Sequence, residues 1–142
     1  MECWLDRAVE CRHLANSKVA AMIVEAIEHR FAKRIWNVFA YVVMPSHIHA
    51  LLEFLLRDMK VSLEDFKKWT GYMAMKELKL EQKRFWQREW FDHWVRSDEE
   101  ATAICRYIRQ NPVKAGLVTR YQDWPHSSWH RRSCPAGGTY CP

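Results

Sequence analysis

At 142 residues, 49% of them hydrophobic and only 4 glycines and 5 prolines among them, the chain can bury one core and is too apolar to be disordered or fibrous. A net charge of +5 fits a polyanionic partner, although charge alone is shared with many proteins that bind none. No apolar run approaches the roughly 20 residues of a membrane span, and MECWLDRAVECRHL carries charges where a signal peptide has its apolar core, so a cytoplasmic protein with no membrane contact is expected.

Residues 1–15 show no clean period. Asn16 or Ser17 can cap a helix whose apolar positions Val19, Ala20, Ile23, Ile27 and Phe31 recur at helical spacing. Apolar and β-branched residues then crowd both sides of Met44-Pro45-Ser46 in WNVFAYVVMPSHIHALLEF, which predicts a hairpin over residues 36–54. Side chains two apart on a strand share a face, so His47 and His49 stand together while Ile48, Ala50 and Leu52 point the other way. Two imidazoles so placed can hold one metal ion, or be ordinary half-buried histidines.

A second helix is expected from Ser62, with Asp65 completing a capping pair and Phe66, Trp69, Met73 and Leu80 as its buried stripe, ending near Glu81. The aromatic run over residues 84–95, RFWQREWFDHWV, reads as a strand. Ser97 and Glu100 form a capping box for the last helix, which runs through Ile104, Tyr107 and Ile108 to Asn111, where Pro112 disfavours continuation and Gly116 suits a turn. Tyr107 and Asn111, four apart, share one face of it. A phenol there is a packing group or a nucleophile for a DNA phosphodiester, the chemistry that suits it.

Eight tryptophans exceed what one core of this size requires, and several lie beside cations: Trp69 after Lys67-Lys68, Trp86 between Arg84 and Arg88. Rings interleaved with cations suit unpaired bases, which makes Lys67, Lys68, Arg84, Arg88 and Arg96 candidate nucleic-acid contacts; core packing is the alternative for any single tryptophan. The five cysteines, Cys3, Cys11, Cys105, Cys134 and Cys141, are scattered without Cys-x-x-Cys and read as reduced thiols.

Taken together, MPSHIH after an apolar run, FWQREWFDHWVRS, YIRQNPVKAGLV on the last helix and DWPHSSW beyond it, in this order, resemble the REP-associated tyrosine transposases. These belong to the HUH superfamily of single-strand transposases, in which a His-hydrophobic-His pair binds metal and one helical tyrosine is the nucleophile. The resemblance implies an α/β (α+β) fold: a ferredoxin-like antiparallel sheet with helices on its faces, of the HUH endonuclease type. It also implies that His47 and His49 hold Mg²⁺ or Mn²⁺, that Asn111 completes the metal site through its side-chain oxygen, and that Tyr107 cuts single-stranded DNA and keeps the 5′ phosphate. The DNA would be a hairpin with single-stranded flanks, and the protein a monomer or homodimer.

The chain departs from the resemblance at its start. Relatives open with a strand of the kind YFVTFR where this chain has Met1, Glu2 and Cys3, so the central first strand is expected to be missing from a shortened domain over residues 1–129. Marginal stability and an exposed sheet edge would follow. Residues 130–142 have no core pattern and are expected to form a loose tail. Three readings of function stand at this point: an active transposase, a degenerate relative that binds DNA hairpins without cutting, and a decayed fragment that does not fold.

Overall fold

The computed structural model of the chain describes residues 12–88 and 90–130, and residues 2–7 as backbone alone. Strand β1, Glu2–Arg7, is followed in the described residues by a 3-10 turn, His13–Ala15, and by helix α1, Ser17–Ala32. Strands β2, Trp36–Val43, and β3, His47–Phe54, form the central hairpin, followed by helix α2, Met59–Leu78. Strand β4, Phe91–Trp94, and helix α3, Asp98–Lys114, complete the set of long elements. The strands make one antiparallel sheet in the order β2-β3-β1-β4, which is the ferredoxin-like arrangement expected.

One expectation is overturned here. The first strand is not missing: Glu2–Arg7 lies in the middle of the sheet, pairing with β3 from Glu2↔Leu52 to Arg7↔His47 and with β4 from Glu2↔Trp94 to Leu5↔Phe91. ECWLDR has no β-branched residue and only Trp4 to favour a strand, so its own strand signal is weak. Two neighbours each offer it a ladder of hydrogen bonds, and that tertiary pairing overrides local preference. The marginal stability and bare central edge expected of a sheet without this strand lose their basis. The opposite edge, at β2, is also covered: Val43 N–H donates to His126 O, Ser128 N–H to Tyr41 O, and the Trp124 indole to Val43 O. Thus DWPHSSW seals an edge strand with backbone and side-chain partners.

The sheet divides two cores. On one face, Trp36, Val38, Tyr41, Val43, Ile48, Ala50 and Leu52 pack against α1 and α2. On the other, Ala40, Val42, Met44 and Leu51 pack against Ala101, Cys105 and Ile108 of α3. A bulge in β2 makes this division possible, because the register steps from Val38↔Leu52 to Ala40↔Leu51. Strict alternation would put Ala40 and Val42 on the face of Val38; the extra residue, Phe39, turns them towards α3.

Helix boundaries follow the capping chemistry. Asn16 Oδ1 accepts from Lys18 and Val19 N–H as expected, but α2 starts earlier than Ser62, because Asp58 accepts from Lys60 N–H and supplies the cap. Its buried stripe also differs, running through Leu63, Phe66, Thr70, Gly71 and Ala74, while Trp69 is 48% exposed. The expected strand over residues 84–95 shrinks to Phe91–Trp94, all four residues exposed. Phe85 and Trp86 instead plug the α1/α2 core from a loop, where Trp86 Nε1 donates to Thr70 Oγ1 at 2.9 Å.

Helix α3 does not stop at Asn111. Pro112 lies inside it, buried, at the cost of one intrahelical N–H bond, and the helix continues to Lys114. It then ends on Gly116 at φ 72°, with Leu117 N–H donating to Pro112 O and Gly116 N–H to Val113 O. Cys105, 4% exposed on the buried side of α3, is disulfide-bonded, which corrects the expectation of five reduced thiols. Scattered spacing cannot show which cysteines a fold brings together. The expected tail over residues 130–142 lies, apart from His130, outside the described residues.

Candidate active site and nucleic-acid surface

The β2–β3 turn sets the site. Pro45 and Ser46 form a two-residue loop closed by Met44 N–H donating to His47 O at 2.8 Å, so β3 begins at His47. From there alternation puts His47, His49 and Leu51 on the α3 face and Ile48, Ala50 and Leu52 in the opposite core. The two imidazoles meet edge to face with centroids 4.5 Å apart. His49 is 5% exposed, His47 more open, and Ser46 Oγ lies 3.0 Å from His47 Nδ1, a contact that fixes the ring's orientation.

Helix α3 brings the phenol to this pair. Its start is set by Ser97 Oγ accepting from Glu100 N–H, while Glu100 returns its carboxylate to Arg96 N–H and to His93. Those bonds, the Arg96 backbone first and then His93, hold the Glu100 carboxyl below its usual range. With Ala101, Cys105 and Ile108 against the sheet, Tyr107 falls at the margin of the contact, half exposed. Its ring packs edge to face on His49 with centroids 5.3 Å apart. Asn111, one turn on, donates Nδ2 to Tyr107 O at 3.4 Å, and Lys114, a further turn on, places Nζ 5.7 Å from the Tyr107 ring centroid. Lys114 was not singled out in the sequence; its signal is the helical spacing from Tyr107, which Pro112 obscures.

The structure therefore brings His47, His49 and Tyr107 together and sets Asn111 on the same helical face as the phenol. Among the described residues no group of three or more His, Cys, Asp or Glu side chains gathers to hold a metal. The two adjacent imidazoles would suit a divalent ion that takes nitrogen ligands. Oxygen from the Asn111 amide, phosphate and water would supply the remainder, a mixture that suits Mn²⁺ better than the strictly oxygen-seeking Mg²⁺.

The basic candidates separate into two places. Lys67, Lys68, Arg84 and Arg88 line one groove of about 940 Å³ between α2 and the loop before β4. That groove belongs to the α1/α2 layer, across the sheet from Tyr107. Arg96 stands apart from it, at the start of α3, where its backbone N–H is tied to Glu100. No described helix is long and apolar enough to cross a membrane.

Comparison with known proteins identifies the family. The family described as "Transposase IS200 like" matches residues 8–111. A putative REP-associated tyrosine transposase of Haemophilus influenzae is 29% identical over 106 residues, covering 68% of this chain and 60% of that protein. A REP-associated tyrosine transposase of Escherichia coli K12 is 30% identical over 99 residues, covering 69% of this chain and 57% of that protein. The chain thus spans somewhat under two thirds of the length of either relative. Among solved structures, a REP-associated tyrosine transposase bound to a REP hairpin superposes with a TM-score of 0.73 at 25% identity, covering 94% of this chain and 81% of that one. A putative transposase from Deinococcus radiodurans shares the fold, with a TM-score of 0.54 at 20% identity over 76% of this chain and 88% of that one. With the family match spanning most of the chain and the His-x-His strand facing a helical tyrosine, the chain belongs to the IS200-like transposase family.

Proposed function

We propose that the chain is a metal-dependent single-stranded DNA endonuclease and strand transferase that works beside hairpins of the REP kind, in the cytoplasm. The observation that carries this reading is the contact of Tyr107 with His49 at 5.3 Å, His47 lying 4.5 Å beyond. A half-exposed phenol against a buried imidazole, with a second imidazole beside that one, suits attack on a phosphodiester. Tyr107 Oη loses its proton and attacks the phosphorus, forming a phosphotyrosine on the 5′ side; the P–O3′ bond breaks and the departing 3′ oxygen takes up a proton. Attack on the phosphotyrosine by a second 3′ hydroxyl reverses these bonds, joins the strands and restores the phenol. A bound Mg²⁺ or Mn²⁺ would polarise the phosphoryl oxygens and offset their growing charge.

The chain's own residues do the rest. His47 and His49 present nitrogen ligands from one strand, Asn111 offers an amide oxygen on the nucleophile's helix, and Lys114 adds a positive charge 5.7 Å from the centre of the ring. Hairpin DNA as substrate is supported by the solved relative that binds a REP hairpin. The test is to incubate the protein with a labelled hairpin bearing single-stranded flanks and resolve the products under denaturing conditions. A covalent protein–DNA species that needs Mn²⁺ or Mg²⁺ and disappears with EDTA is expected. Hairpin binding without any covalent species, with metal present, would reject the reading in favour of a degenerate hairpin-binding relative.

A further inference from the structure

We propose that the groove between α2 and the loop of residues 83–88 binds an unpaired stretch of the DNA, holding it on the opposite side of the sheet from the phenol that cuts. The proposal rests on the reading above only for the identity of the polyanion. Six Lys and Arg side chains line the groove against the carboxylates of Glu64 and Asp65. Two of the six help to build it: Arg30 stacks over Trp36 and Phe66, and Lys67 donates to Gln87 O and lies over the Trp90 ring. The other four, Lys68, Lys83, Arg84 and Arg88, are exposed. Such a surface attracts phosphates.

The aromatics decide which form of the DNA. Trp69 and Tyr72 lie one turn apart on the groove side of α2 and are 48% and 62% exposed, a costly placement for two large rings unless their faces are used. Base faces in a duplex are already stacked on one another, so open ring faces serve only unpaired bases. A second hollow of about 510 Å³ shares Arg30 and Trp69 with the groove and extends it towards Glu25 and His29, giving room for a strand to continue. The platform is also fixed in advance. Gly71 lets the loop close on α2, since a Cβ there would lie 3.3 Å from Trp86, and the Trp86–Thr70 hydrogen bond pins that loop.

Binding is read on protein carrying Tyr107→Phe, so that no cutting intervenes, by fluorescence anisotropy with three probes: unpaired oligothymidine, a blunt-ended hairpin and poly-glutamate. Trp69→Ala combined with Tyr72→Ala should weaken oligothymidine binding about tenfold or more and leave the blunt hairpin within about twofold. Trp69→Phe combined with Tyr72→Phe should restore it. Lys68→Gln with Arg84→Gln should weaken oligothymidine and flatten its dependence on salt. The proposal fails if the alanine pair binds oligothymidine as before, if it loses the blunt hairpin equally, or if poly-glutamate displaces oligothymidine as readily as DNA does. Because cutting is not measured, the groove stands or falls separately from the role of Tyr107.

Discussion

The two faces of the sheet are built differently. Towards α1 and α2 the space is filled by Trp36, Phe66, Phe85 and Trp86, with indole N–H groups bonded to Ser62 and Thr70. Towards α3 it is filled by Ala40, Val42, Ala101, Cys105 and Ile108. The first face interlocks large rings and binds their polar ends. The second rests one helix on small side chains and leaves a half-exposed phenol at its margin, against a buried imidazole. If the proposed chemistry is right, stability and chemistry lie on opposite sides of one sheet, and substitutions on the two sides should fail in different ways.

The largest effect is expected on the α3 face. His49→Ala removes one of the two imidazoles and should abolish metal-dependent adduct formation. Because His49 is buried, the change also costs about 1–3 kcal/mol of stability, visible in urea unfolding. Hairpin affinity should hold, since phosphate contacts elsewhere supply it. Cutting that survives both the substitution and EDTA would remove the histidines from the reaction.

On the other face the order reverses. Trp36→Phe removes the indole that donates to Ser62 Oγ at 2.6 Å and leaves a buried hydroxyl short of a partner, so unfolding should fall by about 1–3 kcal/mol. The folded fraction should still form the adduct at an unchanged rate. A change in that rate as large as the change in stability would show that the two faces are not independent.

Smaller effects sharpen the comparison at the edges. Ser97→Ala deletes the cap of the helix that carries Tyr107 and should cost about 1 kcal/mol, measurable as a shift in denaturation midpoint. The segment sealing β2 contributes a pH dependence. Burial first, and then the charge of His130, push His126 below the usual imidazole range. The folded chain therefore resists a proton that the unfolded chain accepts near pH 6.5, so this contribution is present above about pH 6.5 and lost as the pH falls through it. His126→Gln should flatten the slope of melting temperature between about pH 7.5 and 5.5. An unchanged slope would place the titration elsewhere.

What the sequence displays and what it hides follow from the range of the forces involved. MPSHIH between β-branched runs is a local turn signal, and strand alternation then puts both histidines on one face without help from the rest of the chain. Asn16 and Ser97 act on N–H groups two or three residues away and are equally legible. β1 is not, because ECWLDR is a strand only by virtue of partners some 40 to 90 residues distant in sequence. Nor is the bulge at Phe39, or the use of Phe85 and Trp86 as core plugs from a loop, which made an aromatic run resemble a longer strand than it forms. Trp69 looked like core for the same reason: ring size favours burial, and only the packed stripe through Thr70, Gly71 and Ala74 shows that it faces out.

The most direct test of the account is to locate the DNA attachment. The covalent species formed with a flanked hairpin would be denatured, digested and mapped by mass spectrometry, beside Tyr107→Phe protein, whose melting should match the parent because an exposed hydroxyl contributes within about 0.5 kcal/mol. The expected result is a 5′-phosphorylated nucleotide on the peptide containing Tyr107 and no covalent species from the Phe variant. Attachment at Tyr72 in the groove, or at Tyr41 or Tyr121, would contradict the assignment of chemistry to the α3 face.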